Sequence, residues 1–181
     1  MKKTIVINLF AGPGAGKSTG CAYIFSRLKM MGIDAEMVTE FAKDKVWEEN
    51  KEVFKCQLYI SGKQTFRVQR CYGKVDVIVT DSPICLGAMY NDGSNPHIGA
   101  CLLHEFNRFN DNGMNFFVKR VKPYNPNGRH QNEDEAKSVD KRLTDWLDDN
   151  GVVYTYIDGD AEGYEKVVEK VVERYNEIVG E

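Results

Sequence analysis

Thr4-Ile-Val-Ile-Asn-Leu-Phe10 runs straight into Ala11-Gly-Pro-Gly-Ala-Gly-Lys17-Ser18-Thr19, and this junction decides the fold. The first run is apolar and rich in β-branched residues, the pattern of a strand buried on both faces. The residues after the glycines, Lys17–Met31, place Cys21, Ile24, Phe25 and Leu28 on one helical face, and Gly32 ends the helix. A buried strand, a glycine-rich turn and a helix in this order form a phosphate-binding loop. Gly12, Gly14, Ala15 and Gly16 let the backbone N–H groups of residues 14 to 19, Thr19 included, turn inward around phosphates with little side chain in the way. The helix adds its positive end. Lys17 is expected to reach the β- and γ-phosphates and the Ser18 hydroxyl to ligate Mg²⁺, so ATP or a similar nucleoside triphosphate is the expected ligand.

Outward from the loop, strands and helices alternate. Further strands are expected at Ala35–Thr39, Val75–Thr80, Asn115–Val121 and Val152–Ile157. Helical patterns fill about Phe41 to Cys71, about His97 to Phe109, Asp134–Asp149, and a last segment repeating Tyr164, Val167, Val168, Val171, Val172, Tyr175 and Ile178. Such alternation implies an α/β fold with a parallel sheet covered on both faces. The 181 residues, free of repeats and linkers, suit one domain over 1–181. Arg120-Val-Lys-Pro-Tyr-Asn-Pro-Asn-Gly-Arg129 breaks the pattern with two prolines and three cations, and is expected to leave the core as a lid over 120–133.

A net charge of -3 argues against a surface built mainly for nucleic-acid backbone. The five cysteines have no metal-ligand spacing and read as reduced thiols, mostly small core residues. The N-terminal apolar run is too short to span a bilayer and leads into the loop, so the expected setting is the cytoplasm, with no membrane partner.

Asp81 closes Val75-Asp-Val-Ile-Val-Thr-Asp81, at the strand end where open α/β sheets place ligands, and is expected to hold Mg²⁺ or its waters. Glu40, after the second strand, is expected to accept a proton from an attacking hydroxyl. Arg120, Lys122 and Arg129, with Arg142 behind them, offer cations for a phosphoryl group in transfer, Arg129 and Arg120 foremost. Gln57, Gln64, Arg67 and Arg70 lie on the middle helix, where amides and guanidinium groups suit the polar edges of a substrate. His97, His104 and His130 have no ligand spacing and receive no catalytic role.

Together, Gly12–Thr19, Thr39-Glu-Phe-Ala42, Thr80-Asp-Ser-Pro83 and the cationic excursion resemble the small P-loop kinases of nucleosides and nucleotides. More narrowly the chain resembles the ATP-binding proteins related to the ribosylnicotinamide kinase domain, many of them phage-encoded. The resemblance implies a three-layer fold with a five-stranded parallel sheet in order 2-3-1-4-5. It also implies an acceptor site beside strands two and three, a lid over ATP, and Ile157-Asp-Gly-Asp160 near the adenine. The acceptor is expected to be a nucleoside- or nucleotide-like small molecule, with a polynucleotide 5′-hydroxyl or modified base as the alternative. An NTP-driven switch or assembly ATPase is the reading from another class, and the oligomeric state stays open.

Overall fold

The computed structural model describes residues 2–91, 93, 95–121 and 133–180. The elements run β1 (Ile5–Phe10), α1 (Lys17–Met30), β2 (Ala35–Val38), α2 (Phe41–Trp47), a 3-10 turn (Glu52–Lys55), α3 (Gln57–Gln69), β3 (Val77–Thr80), a 3-10 helix (Ile84–Tyr90), α4 (Ile98–Arg108), β4 (Met114–Lys119), α5 (Glu133–Asp149), β5 (Thr155–Asp158) and α6 (Ala161–Gly180). All five strands are parallel, in the order β2-β3-β1-β4-β5. The expected α/β fold and strand order are what the structure shows.

Every residue of β1 is buried, as the unbroken apolar run requires of a central parallel strand. Helices α1 and α6 pack together, and Phe106 of α4 sets its ring edge-on to Phe10 of β1 at 6.2 Å. The strand that carries Asp81 begins at Val77 instead of Val75. Thr4 accounts for the lost pairing, because its hydroxyl donates to the Val75 carbonyl at 2.7 Å and accepts from the Gly73 N–H at 2.9 Å. The helical stretch after Glu40 divides into α2, the short turn and α3, which pack on one another. Two of the five cysteines, Cys21 and Cys85, are core residues. Cys71 is half-buried, while Cys56 and Cys101 are exposed and so not the core residues expected; all five are free thiols. Among the described residues no helix is long and apolar enough to cross a membrane.

Register brings the site together. Val38 of β2 and Asn8 of β1 both stand level with Thr80 of β3. The chain therefore leaves all three strands at one edge, where Glu40, Asp81 and the glycine-rich loop meet.

Candidate active site

The loop between β1 and α1 needs its glycines for two different reasons. Gly14 (φ 81°) and Gly16 (φ 104°) adopt left-handed backbone, which side chains resist. Gly12 is required by space instead: a Cβ there would lie 2.8 Å from the Ala136 carbonyl and 2.9 Å from Asp140 Oδ1. Tyr164 of α6, 1% exposed, supports the loop from below, its hydroxyl donating to the Gly16 carbonyl at 3.0 Å.

Lys17 folds across this loop and donates to the carbonyls of Ala11 (2.7 Å) and Gly12 (3.0 Å). Removal from water lowers its pKa from the ordinary lysine value, while Glu40, Asp81 and Asp140 pull it back up. Ser18 and Thr19 are exposed at the mouth of the loop, and the Ser18 hydroxyl has no partner among the described residues.

Asp81 is buried, and its Oδ1 accepts the Glu40 N–H at 3.1 Å. Its other oxygen accepts no hydrogen bond from the described residues. The Glu40 side chain likewise has no hydrogen-bond partner among them. It is half-buried, and burial pushes its pKa above the ordinary carboxylate value, opposed by Lys17 and reinforced by Asp81. A hydroxyl and a carboxylate oxygen are the hard donors that Mg²⁺ prefers, and this ion completes its shell with water and phosphate. Ser18 and Asp81 therefore fit it. Among the described residues no group of three His, Cys, Asp or Glu is placed to hold a metal ion.

Arg120, directly after β4, reaches the same loop. Its Nε donates to Asp140 Oδ2 at 2.6 Å and one terminal nitrogen donates to the Pro13 carbonyl at 2.5 Å. Asp140 Oδ1 in turn accepts the Gly12 N–H at 2.5 Å. Asp140 is the participant that sequence reasoning missed. It stands on the inward face of α5 with Ala136, Leu143 and Leu147, all buried, and an acidic residue interrupting that apolar stripe was the available signal. Lys122, Arg129 and His130, with the expected lid beyond Val121, lie outside the described residues. Arg142 is exposed and donates to the Met89 carbonyl at 3.4 Å.

The middle-helix residues have partners of their own. Gln64 is buried and its amide joins two loops: Oε1 accepts the Phe41 N–H at 2.9 Å and Nε2 donates to the Ser82 carbonyl at 3.0 Å. Arg67 donates to Thr39 O and Oγ1, pairs with Asp44, and lies over the Phe41 ring. Gln57 donates to Ser61 Oγ at 3.1 Å, and Arg70 is exposed. Gly159, after β5, packs against the phosphate loop, where a Cβ would meet the Ala15 carbonyl at 2.6 Å. Tyr90, also unforeseen, lies within the electrostatic reach of Glu40, Arg142 and Asp140.

A separate cavity lies elsewhere. About 720 Å³ in volume, it opens at the amino-terminal ends of β4 and β5 among Asn110, Asn115, Arg174 and Glu177. It lies across the sheet from the loop, and size alone does not make it the reaction centre.

The fold and this site define a P-loop protein with kinase-type strand order. The chain belongs to the AAA domain family, whose family model matches residues 6–163. No curated protein matches it. Among solved structures, it is similar to the NadR protein in complex with NR (TM-score 0.61, 15% identity), with 96% of this chain and 52% of that chain covered. It is also similar to shikimate kinase from Aquifex aeolicus vf5 (TM-score 0.50, 16% identity), with 93% of this chain and 95% of that one covered. The chain spans about half the length of the NadR structure. At these identities the likeness is one of fold.

Proposed function

We propose that the protein is an Mg²⁺- and ATP-dependent kinase that transfers the γ-phosphoryl group to a nucleoside- or nucleotide-like small molecule. The observation that carries this reading is the Glu40 carboxylate: half-buried, without a hydrogen-bond partner among the described residues, within the field of Lys17 and tied by its own N–H to Asp81. A carboxylate so placed, after β2 and beside the phosphate loop, suits deprotonation of an acceptor hydroxyl. In the proposed reaction the acceptor hydroxyl gives its proton to Glu40 as its oxygen bonds to the γ-phosphorus, and the bond to the β–γ bridging oxygen breaks to leave ADP. Lys17 draws charge from the β- and γ-oxygens, and Arg120 does so from the far side of the loop. A Mg²⁺ held by Ser18 and Asp81 would neutralise phosphate charge and fix its geometry. Gln64 and Arg67 position the segment that carries Glu40, and Gln57 remains the α3 side chain proposed to meet the acceptor. The solved structures of similar fold, the NadR protein in complex with NR and shikimate kinase, support a small-molecule acceptor.

The test is incubation with Mg·ATP and pooled nucleosides, nucleotides, nicotinamide ribosides and oligonucleotides, with products identified by mass. A phosphorylated small molecule, lost in a folded Lys17→Ala variant, is the expected result. Phosphorylated oligonucleotide alone would move the acceptor into a polymer. Inorganic phosphate without any acceptor product would favour the ATPase.

A further inference from the structure

Helix α3 turns Ile60, Ser61, Gln64 and Val68 inward. Its outer face carries Leu58, 59% exposed, and Phe66, 60% exposed. Gly62 lies four residues from each, so the three form one stripe along the helix. Gly62 is exposed, and a Cβ there would meet nothing within 4 Å. Its φ is not positive, so no turn or close neighbour among the described residues requires glycine. In mid-helix that residue weakens the fold relative to alanine.

We infer that a second copy of this chain packs against this face, the two α3 helices crossing antiparallel with Gly62 on the two-fold axis. A two-fold interface must be complementary to itself, and this stripe is. Reversal about Gly62 sets Leu58 on the partner's Phe66 and Phe66 on the partner's Leu58, while the absent side chain at the crossing lets the backbones approach. Trp47, Phe54 and Tyr59, all exposed, lie on α3 or on elements packed against it. At about 150–250 Å² per aromatic side chain, their exposed fractions and those of the stripe leave on the order of 500 Å² of apolar surface. That is close to the apolar share, about 65%, of an 800 Å² homodimer face. Around the face Lys45 pairs with Glu48, Lys55 with Glu52 and Arg67 with Asp44, while Lys63 lies over the Tyr59 ring, so area and self-complementarity, not charge, favour a second copy. The inference goes beyond the kinase reading and does not rest on it.

Sedimentation or light scattering of the full chain from about 1 to 100 µM tests it. The wild type is expected to form dimers in that range. Leu58→Lys and Phe66→Asp should each weaken association at least about tenfold, since each buries a charge against an apolar side chain. The double variant Leu58→Lys/Phe66→Asp places opposite charges together twice in the antiparallel pairing and should recover association. Gly62→Ala separates interface from fold. It should raise the Tm of the isolated subunit by about 2–4 °C and yet weaken the dimer. A wild type monomeric at 100 µM, or a dimer indifferent to Phe66→Asp and Gly62→Ala, overturns the proposal. Capture of single-stranded oligonucleotide by a monomeric wild type, abolished by Phe66→Asp, would assign the face to a polyanion instead.

Discussion

Arg120 and Asp140 meet at 2.6 Å above the phosphate loop, Nε against Oδ2, and both also hold the loop's backbone. Asp140 takes the Gly12 N–H and Arg120 donates to the Pro13 carbonyl. The end of β4, helix α5 and the phosphate loop are thus joined through one ion pair whose side chains are 13% and 20% exposed. Breaking such a pair from one side leaves the other charge uncompensated, at a cost of about 3–5 kcal/mol when fully buried. Residual solvent reduces that here, so Asp140→Ala should lose about 2 kcal/mol in urea unfolding. Loop order should fall with it, raising the Kd for ATP several-fold. Wild-type stability together with wild-type ATP affinity in this variant would show that the contact joins nothing that matters.

Glu40→Gln addresses the base and makes a pH-dependent prediction of unusual sign. Burial raises the folded-state pKa of Glu40 above the unfolded value. Between the two values the folded chain binds more protons than the unfolded one, so this group's contribution to stability falls as pH rises. At neutral pH the charged carboxylate is a net burden on the fold, which functional sites commonly carry. Glu40→Gln is expected to raise Tm at pH 7, with the gain shrinking as pH is lowered towards the ordinary carboxylate range. Phosphoryl transfer should fall by about 10²–10⁴-fold. A variant less stable than wild type at pH 7, or one of full activity, contradicts the role.

For Asp81 the conservative change isolates the metal. Asp81→Asn keeps a carbonyl oxygen to accept the Glu40 N–H, now made to a carboxylate oxygen at 3.1 Å, but removes the negative donor. The fold should persist, and the Mg²⁺ concentration for half-maximal ATP binding by calorimetry should rise about tenfold or more. An unchanged metal titration would reduce Asp81 to an anchor for Glu40.

Much of this was legible because the deciding patterns are local. A continuous apolar strand, glycines at the turn and a one-faced helix need only neighbouring residues, and Gly14 and Gly16 stand where left-handed backbone requires them. Asp81 and Glu40 were legible as strand-end carboxylates. Gln64 stood out as a polar residue on a helix, but whether its amide met a substrate or two loop backbones depended on how α3 lies against residues 41 and 82. Asp140 was harder still, because its partners lie 20 and 128 positions away in the chain. Contacts of that kind arise from packing, which no single window of sequence carries. The length of β3 shifted for the same reason: Thr4, some seventy positions upstream, claims the carbonyl of Val75.

Tyr164 and Gly20 provide a test of how the loop is supported. The Tyr164 ring fills the space beside α1 so closely that a Cβ on Gly20 would lie 2.4 Å from Cε1, while its hydroxyl holds the Gly16 carbonyl at 3.0 Å. Gly20→Ala improves helix propensity by about 1 kcal/mol, yet the ring is 1% exposed and has little room to retreat. The overpacking cost of about 1–3 kcal/mol should prevail or at least cancel the gain. Displacing the ring also pulls on Gly16, so ATP affinity should fall more than stability does. Tyr164→Leu alone opens a cavity and frees the Gly16 carbonyl, for about 2–4 kcal/mol. In the double variant the alanine methyl enters the space that the ring vacated, so the two costs should not add. A coupling of about 1–2 kcal/mol in the favourable direction is expected from the full cycle of urea unfolding measurements. Additivity within about 0.5 kcal/mol would mean that the ring shifts freely, and the loop would then owe its shape to its glycines and the Asp140 contact without help from α6.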